Sequence, residues 1–147
     1  MFNFCSRRVN PRLLPGPSNV PHVIVEYSAN LEDSIDIRQL IDELHKTTVA
    51  SGVAEIAAIR TRAARREISS VADGNPANAF VHVVARLRVG RPQEKLKNLG
   101  EALLATVDRA LADAYRTHPT AVTVEMHEID PMTFRRNTIR ERAEQPA

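Results

Sequence analysis

Cysteine is nearly missing from this 147-residue chain, and the single one, Cys5, excludes an internal disulfide and a cysteine-built metal cluster. That usage fits a reducing, cytoplasmic setting. Aromatic residues are equally scarce: Phe2, Phe4, Tyr27, Phe80, Tyr115 and Phe134 are all there are. A base-stacking sheet needs two or three aromatics on adjacent strands, so nucleic acid is not an expected partner. The five glycines stand singly and build no phosphate loop. No apolar run approaches the length of a membrane span. The histidines, His22, His45, His82, His118 and His127, show no metal-ligand spacing, and no seryl or cysteinyl nucleophile arrangement is recognisable.

Acid is lacking in one place. Residues 1–20 contain Arg7, Arg8 and Arg12 but no Asp or Glu, which leaves 17 basic against 18 acidic side chains in the rest. The whole-chain pI near 9.0 therefore describes a leader, not a nucleic-acid-binding surface. Pro11, Pro15 and Pro17 forbid a long helix there, and no signal-peptide apolar core is present. The segment reads as a flexible leader ahead of a domain at 21–130. Translation starting at Val20, with removal of the initiating residue, would make Pro21 the amino terminus.

The rest of the chain repeats one plan. Residues 21–28 alternate, with Val23, Val25 and Tyr27 opposed to Ile24 and Glu26. Asp36 and Gln39 make a capping-box start for a helix with the stripe Ile37, Leu40, Ile41, Leu44 and Thr48, closed by Gly52. A strand is expected around Ile56 to Ile68, then a turn through Ala72-Asp73-Gly74-Asn75-Pro76. In the second half, residues 79–89 alternate. Pro92 opens a helix with the stripe Leu96, Leu99, Leu103, Val107, Ala110 and Ala114, and residues 121–129 form a last strand. The fold class is α+β: two tandem β-α-β units in a four-stranded mixed sheet with two helices on one face. The other face, with Ile24, Phe80 and Val84, is left uncovered, which predicts self-association. Residues 131–147 read as a tail that docks on a neighbouring subunit.

Pro21 has two readings. Proline at a strand entry is ordinarily structural, because it cannot donate to the ladder. With a free amino end it is instead a secondary amine, able to act as a base near neutral pH. Still bonded to Val20, it is an amide with no basic lone pair.

The run Pro21-His22-Val23-Ile24-Val25-Glu26, the pair Ile59-Arg60 with Arg62, the turn Ala72-Asp73-Gly74, the opening Ala79-Phe80-Val81-His82 and the pair Gly90-Arg91 resemble the 5-carboxymethyl-2-hydroxymuconate delta-isomerases. Those enzymes belong to the tautomerase superfamily, and the resemblance extends from Pro21 to about Arg140. It implies a homotrimer and cofactor-free, metal-free proton transfer between carbons of an unsaturated, carboxylated hydroxy or oxo acid from aromatic catabolism. Pro21 would be the catalytic base, and Arg60 and Arg91 the principal substrate-binding arginines. Arg62 stands open between substrate contact and surface charge. Arg65, Arg66 and Arg88 read as solvated surface charges, and His22 and His82 as structural; Glu26 stands open between a supporting partner of the site and a paired or solvated carboxylate. Two alternatives remain: a tautomerase for another enolisable acid, and a catalytically silent oligomeric binding protein whose leader keeps Pro21 in an amide.

Overall fold

The computed structural model describes residues 20–143. The leader residues 1–19, with Cys5 and its three arginines, and residues 144–147 lie outside that range.

Strand β1 (His22–Ser28) leads through a 3-10 turn into helix α1 (Ile37–Ala50). Asp36 caps this helix, its carboxylate accepting from the Gln39 N–H at 3.1 Å, and Gly52 follows its end at φ +68°, the left-handed position glycine adopts most readily. Strand β2 (Arg60–Arg66) completes the first unit. Strand β3 (Ala79–Arg88), helix α2 (Gln93–Leu111) and strand β4 (Thr120–Ile129) repeat it, and a short helix, α3 (Thr138–Ala143), follows.

The sheet order is β2-β1-β3-β4. The two β-α-β units are parallel within themselves, and β1 runs antiparallel to β3 where the units meet. Both helices lie on one face. Val23 and Val25 of β1, Val81, Val83 and Leu87 of β3, Leu40 and Leu44 of α1, and Leu99, Leu103 and Val107 of α2 form the core. Val122, Val124 and Met126 close it from β4. Leu103 is fully buried. Leu103→Ala is expected to cost about 2–5 kcal/mol, through lost burial and a cavity the helix cannot collapse into, read as a lowered urea midpoint at constant slope.

Three expectations shift in detail. Ile56–Ala58 form a 3-10 turn, so β2 begins only at Arg60, whose N–H donates to the Pro21 carbonyl at 3.1 Å. It stops at Arg66 because β1 ends opposite it at Ser28, and Ile68 is left exposed. Helix α2 ends before Ala114, which is buried in its own 3-10 turn. The tail folds back on its own chain: Asn137 Nδ2 donates to the Ala57 carbonyl at 2.9 Å, and Arg140 pairs with Glu55 at 3.4 Å. Phe134 and Met132 remain exposed. Among the described residues no helix is long and apolar enough to cross a membrane.

Candidate active site

Strand register brings the arginines together. His22 of β1 lies opposite Arg60 of β2 on one side and opposite Arg86 of β3 on the other, and one pleat along, Arg62 faces Ile24. Side chains two apart share a face, so this end of the uncovered face presents Arg60, Arg62, Arg86, Arg88 and His22. The returning tail adds Phe134, Arg135 and Arg136. They enclose a cleft of about 420 Å³ that contains six arginines and is lined by no Asp or Glu.

Val20 and His22 both line the cleft, while Pro21 between them is buried. The Pro21 nitrogen is bonded to the Val20 carbonyl carbon, so it lies at the edge of the arginine cleft. Two other concavities, of about 400 and 670 Å³, run between α1 and α2. Acids and bases mix in one, and small residues such as Ala102 and Ala105 line much of the other. Neither contains a convergent set of charges.

The partners of the arginines divide them into two kinds. Arg65 is paired with Glu32 at 3.1 Å and also with Glu67, and Arg66 with Glu26 at 3.0 Å. Their charge is cancelled, as expected of surface residues, and Arg66 holds the Glu26 carboxyl below its ordinary range by hydrogen bonding. Arg60, Arg62 and Arg91 are held by uncharged acceptors instead. Arg60 donates to the Ala58 carbonyl at 3.0 Å, and Arg62 to His22 Nδ1 at 3.1 Å. Arg91 donates to the Val53 carbonyl at 3.1 and 2.9 Å and to the Arg88 carbonyl at 2.7 Å. A neutral acceptor orients a guanidinium without spending its charge, which stays available to an anion.

The expected site residues do not all converge. Arg60 and Arg62 line the cleft, whereas Pro21 is buried between two residues of the lining, Val20 and His22. Arg91 is outside its lining, at the turn between β3 and α2, where it ties that turn to Val53. His22, expected to be structural, lines the cleft, and burial, followed by Arg62, Arg60 and Arg86, pushes its pKa below the ordinary imidazole value. Arg88, read as a surface charge, lines it too. The alternation of residues 79–89 already put Arg86 and Arg88 on the uncovered face; the missing information was which strand lay beside β1. His82 Nε2 donates to the Glu125 carboxylate at 2.7 Å further along the sheet. Among the described residues no group of three or more His, Cys, Asp or Glu side chains is placed to hold a metal ion.

Comparisons with known proteins identify the family and the fold. The family described as 5-carboxymethyl-2-hydroxymuconate isomerase matches residues 21–143. The 5-carboxymethyl-2-hydroxymuconate Delta-isomerase of Escherichia coli is 29% identical over 121 residues, covering 82% of this chain and 96% of its own. The crystal structure of a 5-carboxymethyl-2-hydroxymuconate isomerase from Deinococcus radiodurans R1 superposes with a TM-score of 0.78 at 29% identity, covering 85% of this chain and 95% of that one. A fused 4-OT symmetric trimer shares the fold at a TM-score of 0.58 and 21% identity, covering 77% and 89%. The match begins at Pro21, the residue that borders the arginine cleft, and it spans both β-α-β units; this chain is an isomerase belonging to the 5-carboxymethyl-2-hydroxymuconate isomerase family, in the tautomerase superfamily.

Proposed function

We propose that this chain shifts a double bond in 5-carboxymethyl-2-hydroxymuconate, or a closely similar unsaturated hydroxy or oxo polycarboxylate, by proton transfer without a cofactor. The observation that carries the reading is the acid-free arginine cleft opening beside the Pro21 nitrogen. A substrate with several carboxylates meets charge of one sign there, and Arg60 and Arg62 are oriented by partners that leave their charge intact. Arg91 is a third arginine of this kind, anchored beside Arg88.

In the proposed reaction the neutral Pro21 amine removes a proton from one position of the conjugated system. The electron pair spreads into the carbonyl and carboxylate groups, where guanidinium N–H groups stabilise the developing charge. The prolinium returns the proton to another carbon, so the double bond moves and the amine is regenerated. No oxidant or second substrate is needed for balance. The uncovered sheet face, with Ile24, Phe80 and Val84 partly exposed, is the surface on which three copies would assemble, and the fold relationship to a 4-OT trimer supports that assembly.

The test is a steady-state assay with 5-carboxymethyl-2-hydroxymuconate on the chain beginning at Pro21. Arg60→Ala removes charge-assisted hydrogen bonds worth about 1.5–3 kcal/mol, so KM should rise roughly ten- to a hundredfold. An unchanged KM and kcat would remove the cleft from the reaction.

A further inference from the structure

Arginine donates hydrogen bonds and accepts none. The 3.1 Å contact between Arg62 Nη1 and His22 Nδ1 therefore fixes the state of the histidine: Nδ1 bears the lone pair, and the imidazole is neutral with its proton on Nε2. The surroundings favour that state, because burial and the charges of Arg62, Arg60 and Arg86 all oppose a second proton on the ring. Among the described residues, Arg62 has no carboxylate partner and no other hydrogen bond. It is exposed, and a guanidinium on a flexible stem loses substantial rotamer freedom when it must be ordered by a ligand.

We propose that His22 is a positioning residue of the cleft: its neutral imidazole pre-orders Arg62 through Nδ1, so that the guanidinium meets a substrate carboxylate with its geometry set and its charge uncancelled. The proposal rests on reading the arginine cleft as the polycarboxylate site. A carboxylate in place of His22 would hold Arg62 as firmly but cancel the attraction, as Glu26 does for Arg66. A protonated histidine could not hold it at all. The neutral ring, fixed by β1 next to Pro21, meets both requirements. Its Nε2–H remains a further donor.

The test uses the full chain and two readouts. Nitrogen-15 NMR of the imidazole should show His22 as the Nε2–H tautomer at neutral pH; a proton on Nδ1 overturns the proposal. Calorimetric titration with trans-aconitate, an unsaturated tricarboxylate, measures carboxylate affinity without turnover. His22→Leu should weaken binding about tenfold, Arg62→Ala by a similar factor, and the double variant by no more than either alone, since linked residues do not add. His22→Asn places an acceptor near the position of Nδ1 and should recover most of the loss. Equal affinity of His22→Leu and wild type, additive losses, or a His22→Asn as weak as His22→Leu would each overturn it. So would the absence of trans-aconitate binding by the wild type, which would also count against a carboxylate cleft. The expected binding pattern in a protein without isomerase turnover would uphold the pair and count against the isomerase reading alone.

Discussion

With residues 1–20 attached, the isomerase is expected to run about a thousandfold slower than the chain that begins at Pro21, the scale a positioned acid–base group contributes. The reason is local. In the longer chain the Pro21 nitrogen is a peptide nitrogen, and its lone pair is delocalised into the Val20 carbonyl. It can neither take a proton from carbon nor return one. Geometry adds to the effect, because Val20 lines the arginine cleft and occupies space beside the nitrogen that a reacting carbon would need. Amide formation at the Pro21 nitrogen does not change the guanidinium groups chemically, so carboxylate binding at Arg60 and Arg62 need not disappear with turnover. Initial rates for the two chains, together with intact-mass analysis of protein from its native host, decide the matter. Equal rates would end the proline-base mechanism. A native protein that starts at Met1 would make the silent binding protein the better account, with an arginine cleft that captures carboxylates and releases them unchanged.

Much of the framework could be read from the chain because it is encoded locally. Alternation in residues 21–28 and 79–89 assigned faces correctly: Val23, Val25, Val81 and Val83 are buried, and His22, Ile24, His82 and Val84 are on the other side. Asp36 and Gln39 marked the start of α1 by a bond that spans three residues. Pairings between distant segments were less legible. Nothing within β1 or β3 states that His22 will lie opposite Arg86, a register set by the packing of two units, and without it Arg86 and Arg88 look like solvated charges. The Ile56–Ala58 turn escaped the periodicity because Ala57 and Ala58 fit a strand or a turn equally well. The tail arginines lie at the cleft where Asn137 reaches back to Ala57 and Arg140 to Glu55, contacts between residues far apart in the chain. The division between Glu-paired arginines and those held by neutral acceptors was also invisible, since Arg60, Arg62, Arg65 and Arg66 are alike in composition and differ only in what they face.

Pro21→Ala, made in the chain that begins at residue 21, should lower kcat/KM by about a hundredfold, less than blocking the amine does. Alanine keeps an amino-terminal lone pair, but its primary amine rotates freely where the pyrrolidine ring fixes the nitrogen against the sheet. The variant therefore loses aim and basicity, not the functional group itself. The pH profile separates these possibilities. A free α-amino group titrates near 8 in models, and burial with neighbouring guanidinium groups disfavours its charged form, moving that value down. The base works only when neutral, so kcat/KM should fall as pH drops through the amine's pKa, giving an acid limb below about 8. Pro21→Ala should retain an acid limb at reduced height, whereas the chain with its leader attached should have none from this group. Arg60→Ala removes a cation from the cleft and should move the limb to higher pH, by relieving part of the repulsion that keeps the amine neutral. A Pro21→Ala enzyme with full activity and an unchanged profile would place the proton-transferring group elsewhere in the cleft.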